Sequence, residues 1–469
     1  LMISFMRAAA CQFVFCVNCF LLAQSIHAQN DRLDGERPNI VFLFADDQPA
    51  NCTGYSGNRA IKTPHLDALA SRGTVFTNAF VTTAICCSNR ACLLTGQPMR
   101  RHGITEFRTP LSKEAFARTY PAILRRAGYR TGYLGKYAIG NPRMHPPELA
   151  LPESEFDFWY GFPQSISFKQ TIDGETRFLT EVMTEKAVEF LEASGNEPFC
   201  LTVAFKEPHG PFNYFDPKVP DPYRNVELPA SQTFTSKDYD LQPGFIKRSL
   251  NGSRSQRLLE DPESYQNELR TFYRTVTRAD QAVGEILAAL QRLKLDDNTV
   301  VIYSSDHGSL LGDHGLTGKW LMYENSIRVP LIIYDPRPNQ ARAAKRDELV
   351  LSLDIPATIV SLAGLRVPAS MDGKDLMPLV RGEELPWRSH FYYEHTYTPE
   401  KESNLPPIPR TEGIRGDRWK YVRFPDQEPI YEQLFDLHND PLERENLIDA
   451  AEHRRIADEL RALCDSKPL

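Results

Sequence analysis

The sequence predicts an α/β fold: a large mixed, mostly parallel sheet sandwiched by helices, followed by a smaller C-terminal α+β domain. Three observations carry this expectation. Short continuous apolar runs alternate with helical patterns through most of the chain. Those runs lack the in–out alternation of a half-exposed strand, which marks strands covered on both faces and hence a parallel sheet. Near residue 365 the texture changes: Pro368, Gly373, Pro378, Gly382 and Pro386 punctuate a connection, and only short strand-like pieces follow.

The elements follow in order. The run from Pro38 to Ala45 reads as a buried strand, and Pro64–Ser71 as a helix stopped by Gly73. A second helix spans 119–127 with Gly128 as its natural C-terminal cap, and a strand covers 130–134. Over 176–193, apolar residues at 178, 179, 182, 183, 187, 190 and 191 keep the helical period. A strand at 199–205, a long helix at 265–293 and a strand at 299–304 complete the α/β pattern. The segment 211–262 is polar, Pro-rich and poorly periodic, and reads as one long loop, functional or mobile. Strand-like pieces at 390–394, 411–415 and 418–424 and a helix at 452–464 form the smaller domain. The expected division is 1–28 leader, 37–387 large domain and 388–469 small domain.

The leader is read from the first 30 residues, where Arg7 is the only charge before Asp31. The apolar run from Cys11 to Ala23 is too short to span a bilayer and has the length of a signal-peptide core, with a cleavage point after Ala28. Periplasmic or secreted localisation follows as an expectation. Cys11, Cys16 and Cys19 leave with the leader, so nine cysteines become six: Cys52, Cys86, Cys87, Cys92, Cys200 and Cys464. An even count in an exported chain hints at disulfides, and no paired CxxC spacing suggests structural zinc. A net charge of −7 over 469 residues excludes a generally basic surface, so neither nucleic acid nor a membrane surface is expected as a partner.

Polar clusters sit just beyond the strand ends. Asp46-Asp47-Gln48 follows the first strand, Lys136 the strand at 130–134, Lys206 to His209 the strand at 199–205, and Asp306-His307-Gly308 the strand at 299–304. Ligands of open α/β sheets bind beyond the carboxyl ends of the strands, so four separate segments converge on one edge. Three carboxylates there repel one another unless a cation joins them. Oxygen donors suit Ca²⁺ or Mg²⁺, and His307 adds a nitrogen that also tolerates Mn²⁺ or Zn²⁺. The run from Cys86 to Gly96, CCSNRACLLTG, leads from a polar stretch into a helix-like one. By residue types alone, Cys86 and its neighbours fit a core cysteine pair, a disulfide end, or an anion site at a helix start aided by Arg90.

CCSNRACLLTG resembles the signature of the type I sulfatases, Cys-x-Pro/Ala-x-Arg followed by a Leu-Leu-Thr-Gly stretch. PNIVFLFADDQ, RAGYRTGYLGK, SSDHGSLLGDHGLTGKWLMYENSIRVPLII, DRWKYVRF and LFDLHNDPLERENL are similar to that family too, and the resemblance runs from about residue 37 to 448. It implies an alkaline-phosphatase-like fold and hydrolysis of O-sulfate esters. Cys86 would be oxidised to formylglycine by a maturation enzyme, a further partner of the chain. Asp46, Asp47, Asp306 and His307 match positions holding a divalent metal, usually Ca²⁺, which residue 86 would also touch. Arg90 would hold the modified residue, Lys136 and Lys319 would grip sulfate oxygens, His209 would act in the site, and Ser165 would contact sulfate. The hydrated aldehyde offers two hydroxyls on one carbon: one attacks sulfur, and the second then expels sulfate. His209 or Lys319 would give the leaving alcohol its proton.

The sequence departs from the family pattern at Ser88, where Pro or Ala is usual, and at Ala138, where many relatives carry His two residues after the Lys. His145 is a nearby candidate base. His314 reads as a structural hydrogen-bonder and Cys92 as a small buried hydrophobe. Exported enzymes meet polysaccharides, so sulfated carbohydrates are the expected substrates, with Glu394, His395 and Arg415 as residues that could reach them. Two other readings remain: a phosphomonoester or phosphonate hydrolase of the same superfamily, disfavoured by Cys86 where phosphatases use Ser or Thr, and a non-catalytic carbohydrate-binding relative.

Overall fold

The computed structural model describes residues 37–142, 151–164, 166–172, 174–211, 221–337, 344–397 and 405–467. The expected leader (1–28), Ser165 and His145 lie outside these residues.

Eight strands form the main sheet: β1 (Asn39–Ala45), β2 (Thr74–Phe76), β3 (Arg130–Lys136), β4 (Phe158–Phe162), β5 (Phe199–Ala204), β6 (Thr299–Ser305), β7 (Ile332–Tyr334) and β8 (Ala344–Arg346). Their order is β8-β2-β7-β6-β1-β5-β3-β4. β1 pairs in parallel with β5 and β6, β3 in parallel with β5 and β4, and β2 in parallel with β8. Only β7 runs against its neighbours. β1 is buried throughout and feeds two cores: Ile40, Phe42 and Phe44 face one, and Val41, Leu43 and Ala45 the other. That is the period-two geometry of a strand covered on both faces. The sheet is mixed and mostly parallel, as expected above.

Register then aligns the strand ends. Phe44 lies opposite Ala204, Ala45 opposite Ser305, and Gly135 opposite Ala204. Asp46, Asp306, Lys136 and the chain after Ala204 therefore leave the sheet at one edge. Backbone bonds lock it: Asp46 N–H donates to Glu207 O at 2.9 Å and Asp306 N–H to Ala45 O at 3.0 Å.

The helices that matter for the site are α1 (Pro64–Arg72), α2 (Cys86–Thr95), α3 (Tyr120–Arg126), α4 (Leu179–Glu192), α5 (Leu250–Glu260) and α6 (Pro262–Arg292). α6 packs on α4 and α1, and its Asp280 caps α1 from outside, accepting from the N–H groups of Leu66 (2.7 Å) and His65 (3.2 Å). This satisfies donors that a helix start leaves open.

Two element readings are corrected. The helix expected over 176–193 starts at Leu179, because Glu175–Phe178 is a strand paired with Lys169–Ile172. The segment 211–262 is not one loop: helices form at Ser236–Asp240, Gly244–Lys247 and α5. Thr235 caps the first of these by accepting from Asp238 N–H; Ile246 anchors the second, and Leu250 and Leu258, two turns apart on α5, anchor the third.

The C-terminal part holds a four-stranded antiparallel meander, β9 (His390–His395), β10 (Thr411–Gly416), β11 (Trp419–Phe424) and β12 (Tyr431–Asp436), with helix α7 (Arg454–Ser466) against it. β12 is absent from the sequence reading because YEQLFD alternates polar and apolar residues only weakly. One face of this sheet shares the main core through Phe391, Tyr393, Val422 and Phe424. A buried ionic cluster ties it down: Lys420 Nζ lies 2.6 Å from both Glu324 Oε1 and Glu443 Oε1 and donates to Met322 O. All six described cysteines are free and buried, so the disulfide expectation is overturned.

Candidate active site

Residue 86 stands at the first turn of α2, a helix whose residues are all buried, polar ones included. Ile85 before it is extended, and Gly96 after the helix takes φ 66°, the left-handed turn that lets the chain leave at once. Cys86 Sγ is the meeting point of the strand-end clusters. It lies 3.2 Å from Lys319 Nζ, 3.3 Å from His307 Nε2, 3.4 Å from Lys136 Nζ and 3.4 Å from Asp46 Oδ1.

The surrounding charges are matched pair by pair. Lys136 Nζ donates to Asp46 Oδ2. Lys319 Nζ donates to Asp47 Oδ1 at 2.6 Å. Arg90 Nε donates to Asp306 Oδ2 at 2.9 Å, its Nη2 lies 3.5 Å from Asp46 Oδ2, and its Nη1 donates to Lys136 O. The guanidinium also rests on the Phe44 ring, 4.9 Å from its centre. Asp47 has φ 79°, and its N–H donates to Asp306 Oδ1 at 3.1 Å, so a left-handed turn bends the chain toward the neighbouring strand end. His307 Nδ1 is 3.3 Å from Asp47 Oδ1, and His209 Nε2 is 3.9 Å from Asp47 Oδ2.

Burial alone would raise the Asp46 carboxyl, but Lys136, His209, Arg90 and Lys319 hold it well below the ordinary carboxylate value. Burial alone would lower Lys136 and Lys319, yet Asp46 raises the first and Asp47 the second. Burial pushes the imidazoles of His209 and His307 down. It pushes the Cys86 thiol up, and Asp46 adds to this, so the unmodified side chain is a protonated thiol and a weak nucleophile.

The donor atoms form two overlapping groups, Asp46–Asp47–Cys86–His209 and Asp46–Cys86–Asp306–His307, each with its atoms within 4.8 Å of one another. The set fits a divalent cation. It is rich in carboxylate oxygen, which suits a hard ion; the imidazole nitrogens of His209 and His307 also tolerate softer divalent ions, and the sulfur of residue 86 is out of character for a hard one.

The structure thus brings together Asp46, Asp47, Cys86, Arg90, Lys136, His209, Asp306, His307 and Lys319. Three other sequence readings stand differently. Glu394 accepts from Arg100 N–H at 3.0 Å, Arg415 pairs with Glu324 at 3.3 Å and covers the Phe80 ring, and His395 is fully buried. All three are committed to the interior, which corrects the expectation that they reach a substrate. His314 is buried and its ring stacks on Tyr323 at 3.8 Å, while its backbone N–H, not its imidazole, donates to Thr233 Oγ1 at 2.8 Å, so it is structural by packing where a hydrogen-bonder was expected. Cys92 is fully buried, with Sγ 3.3 Å from His102 Nε2. Ser88 is fully buried in α2, and Ala138 is fully buried with φ 61°.

Sequence reasoning missed Asn89 and Arg254. Asn89 donates to Asp306 O and accepts from Ser352 Oγ at 2.8 Å, fixing the Asp306 backbone to α2. Its place directly before Arg90 in a helix that leaves no face to water was the available signal. Arg254 was hidden inside the segment read as a loop.

The sequence profile of the sulfatase family matches residues 38–365. The chain belongs to the type I sulfatase family. It is therefore a sulfuric ester hydrolase. A second profile, the C-terminal part of N-sulphoglucosamine sulphohydrolase, matches residues 312–467 of this sulfatase. Its relatives include an N-acetylglucosamine-6-O-sulfatase of Bacteroides thetaiotaomicron, 27% identical over 99% of this chain and 91% of the relative. An ulvan-active sulfatase of Formosa agariphila is 27% identical over 92% and 81%. Among solved structures, one in complex with its substrate D-glucosamine-2-N,6-O-disulfate superposes with a TM-score of 0.75 at 25% identity, covering 92% of this sulfatase and 97% of that chain. A phosphonate monoester hydrolase of Agrobacterium radiobacter shares the fold, with a TM-score of 0.74 at 23% identity over 92% and 96%.

Proposed function

We propose that this sulfatase hydrolyses O-sulfate esters of carbohydrates after Cys86 has been oxidised to formylglycine. The observation that carries the reading is the convergence of Lys136, His307, Lys319 and Asp46 within 3.4 Å of one buried thiol that is itself protonated. A thiol in that setting neither attacks well nor suits a hard cation. When formed, the hydrated aldehyde supplies an oxygen nucleophile and a second hydroxyl that lets the cycle close. A divalent cation, calcium or else magnesium, held by Asp46, Asp47, Asp306, His307 and residue 86, would supply Lewis-acid polarisation of a sulfate oxygen.

The chain's own residues do the rest. Lys136 and Lys319 aim ammonium groups at the space around residue 86 and neutralise sulfate oxygens, and they do so pre-oriented by Asp46 and Asp47. Arg90 keeps Asp46 and Asp306 from repelling each other. His209, whose side chain is 29% exposed beside Asp47, stands at the mouth of the site; its protonated imidazole, or the Lys319 ammonium, gives a proton to the departing sugar alkoxide and so releases the free hydroxyl. The names of the relatives that act on sulfated sugars support the substrate class. The reading includes Ser165 as a sulfate contact, a formylglycine-generating partner, and export by way of the leader at 1–28. Among the described residues no helix is long and apolar enough to cross a membrane.

Mass spectrometry of the Cys86 peptide, from protein made together with a maturation enzyme, should find CH₂SH replaced by CHO. The same preparation should release sulfate from sulfated mono- and disaccharides and leave phosphonate monoesters untouched. An intact thiol with no sulfate release from any sulfated sugar would falsify the proposal.

A further inference from the structure

Beside the charged cluster lies a cavity of about 590 Å³, with Asp47, His209 and Lys319 on one wall and Arg254, Glu268 and Trp320 among its other lining residues. Its ionic groups are almost all neutralised within the protein. Asp47 is paired with Lys319 at 2.6 Å, and Glu268 with Arg257 at 2.6 Å. Arg254 is the exception. It projects from α5 exposed, and among the described residues its guanidinium makes no hydrogen bond or ion pair. Its charged neighbours are Asp47 and Glu268, each already held by another cation. The Arg254 guanidinium lies 5.7 Å from the Trp320 ring centre. Trp320 follows Lys319 directly, sits at φ 79°, and buries an indole N–H that has no partner among the described residues. A large residue in the left-handed region is strained, and buried N–H groups are ordinarily paired, so both features mark this wall as shaped for something other than packing.

We propose that Arg254, with the Trp320 ring beside it, forms a subsite for a second anionic substituent on the sulfated sugar, a carboxylate or another sulfate. The inference rests on the sulfatase reading and deepens it. The scissile sulfate takes the cations around residue 86. A sugar ring leaving that point enters the cavity and carries its second anion to Arg254, the lining cation without an ion pair among the described residues. A planar guanidinium suits both carboxylate and sulfate oxygens, and the Trp320 ring, 5% exposed, backs that guanidinium from the cavity wall.

The test compares kcat/KM for three substrates: N-acetylglucosamine 6-sulfate with one anion, glucosamine carrying N- and 6-O-sulfates, and a hexuronate-containing disaccharide of 6-sulfated N-acetylglucosamine. In Arg254→Gln, the preference for doubly over singly anionic substrates should fall about 10- to 100-fold, the size of one charge-assisted hydrogen bond, and mainly through KM. Arg254→Lys should restore part of it and Arg254→Glu should invert it. A fall confined to the disulfated sugar assigns the subsite to sulfate, and one confined to the disaccharide assigns it to carboxylate. An unchanged ratio in both arms overturns the proposal. Should the variants not fold, the wild-type KM for the doubly anionic sugars must rise more steeply with salt than that for the single anion; equal slopes overturn it. If no arm releases sulfate, the reading of these sugars as substrates fails on its own. Calorimetric binding of the same sugars to Cys86→Ala protein with and without Arg254→Gln then reads the ratio directly.

Discussion

Replacing Arg90 asks how three carboxylates coexist behind a buried residue. The side chain is 1% exposed and bridges Asp46 and Asp306. Arg90→Met should cost about 3–5 kcal/mol in denaturant unfolding, because Asp306 loses its guanidinium partner and Asp46 keeps only Lys136, where water cannot make up the loss. An unchanged midpoint would mean the pairs are not the ones drawn. Asp46 allows a pH test. Its folded carboxyl lies well below 3.8, so the stability it contributes is complete above that value and is lost as pH falls through the lowered one. Urea midpoints from pH 5 to 2.5 should fall on the acid side, and Asp46→Asn should flatten that slope. Lys319 touches both residue 86 and Asp47, and Lys319→Ala should reduce kcat about 10²- to 10³-fold, as loss of one oxyanion donor does. A loss seen only in KM would assign Lys319 to binding alone.

At the scale of elements, β3 shows how a strand delivers a side chain. Gly135 has φ 98°, and a Cβ there would collide with the Ala204 carbonyl of β5. The close approach puts Lys136 one residue past the pairing, where its ammonium reaches Asp46. Gly135→Ala should destabilise the fold by about 2–4 kcal/mol and move Lys136 enough to abolish most sulfate release. A folded, fully active variant would contradict this account. The same scale explains what could be read in advance. β1, β5 and β6 were legible because strands buried on both faces are apolar without interruption, and their polar followers then had one place to go. Phe178 looked helical by periodicity, yet pairing with Lys169 makes it extended, a tertiary override that no local pattern carries. α5 was lost for the opposite reason: it buries only a few positions and exposes Ser, Gln and Arg, so its period drowns in polar residues. Arg254 went with it. Arg90 and Lys136 were legible through motif resemblance, whereas Asn89 was not, because its role is to hold the Asp306 carbonyl and appears only once α2 is placed against β6.

For the whole molecule, the main sheet and the C-terminal meander share one core and one ionic cluster. Lys420 is fully buried between Glu324 and Glu443. Lys420 and Arg415 draw Glu324 well down from the ordinary value, whereas burial pushes Glu443 up, so the two acids divide one proton-affine role between them. Lys420→Met should lower stability by about 3–5 kcal/mol, read by denaturant titration, and should loosen the segment that runs back from Glu324 to Lys319. Exhaustive chelation addresses the other end of the same assembly. Activity should fall at least about 100-fold and return with added Ca²⁺; activity that survives chelation would remove the metal role from Asp46, Asp47, Asp306 and His307.

The burial of residue 86 also sets an order of events. In the folded chain Cys86 is 1% exposed, closed in by side chains that arrive from strands up to residue 305 and from Lys319. No second protein can reach that sulfur once β1 is clasped between β5 and β6. The proposed oxidation therefore belongs to the nascent or still unfolded chain, in competition with a sheet whose central pairings wait for residues more than two hundred positions downstream. The long separation between β1 and β6 acts as a clock: it holds the window for maturation open until most of the protein has been made.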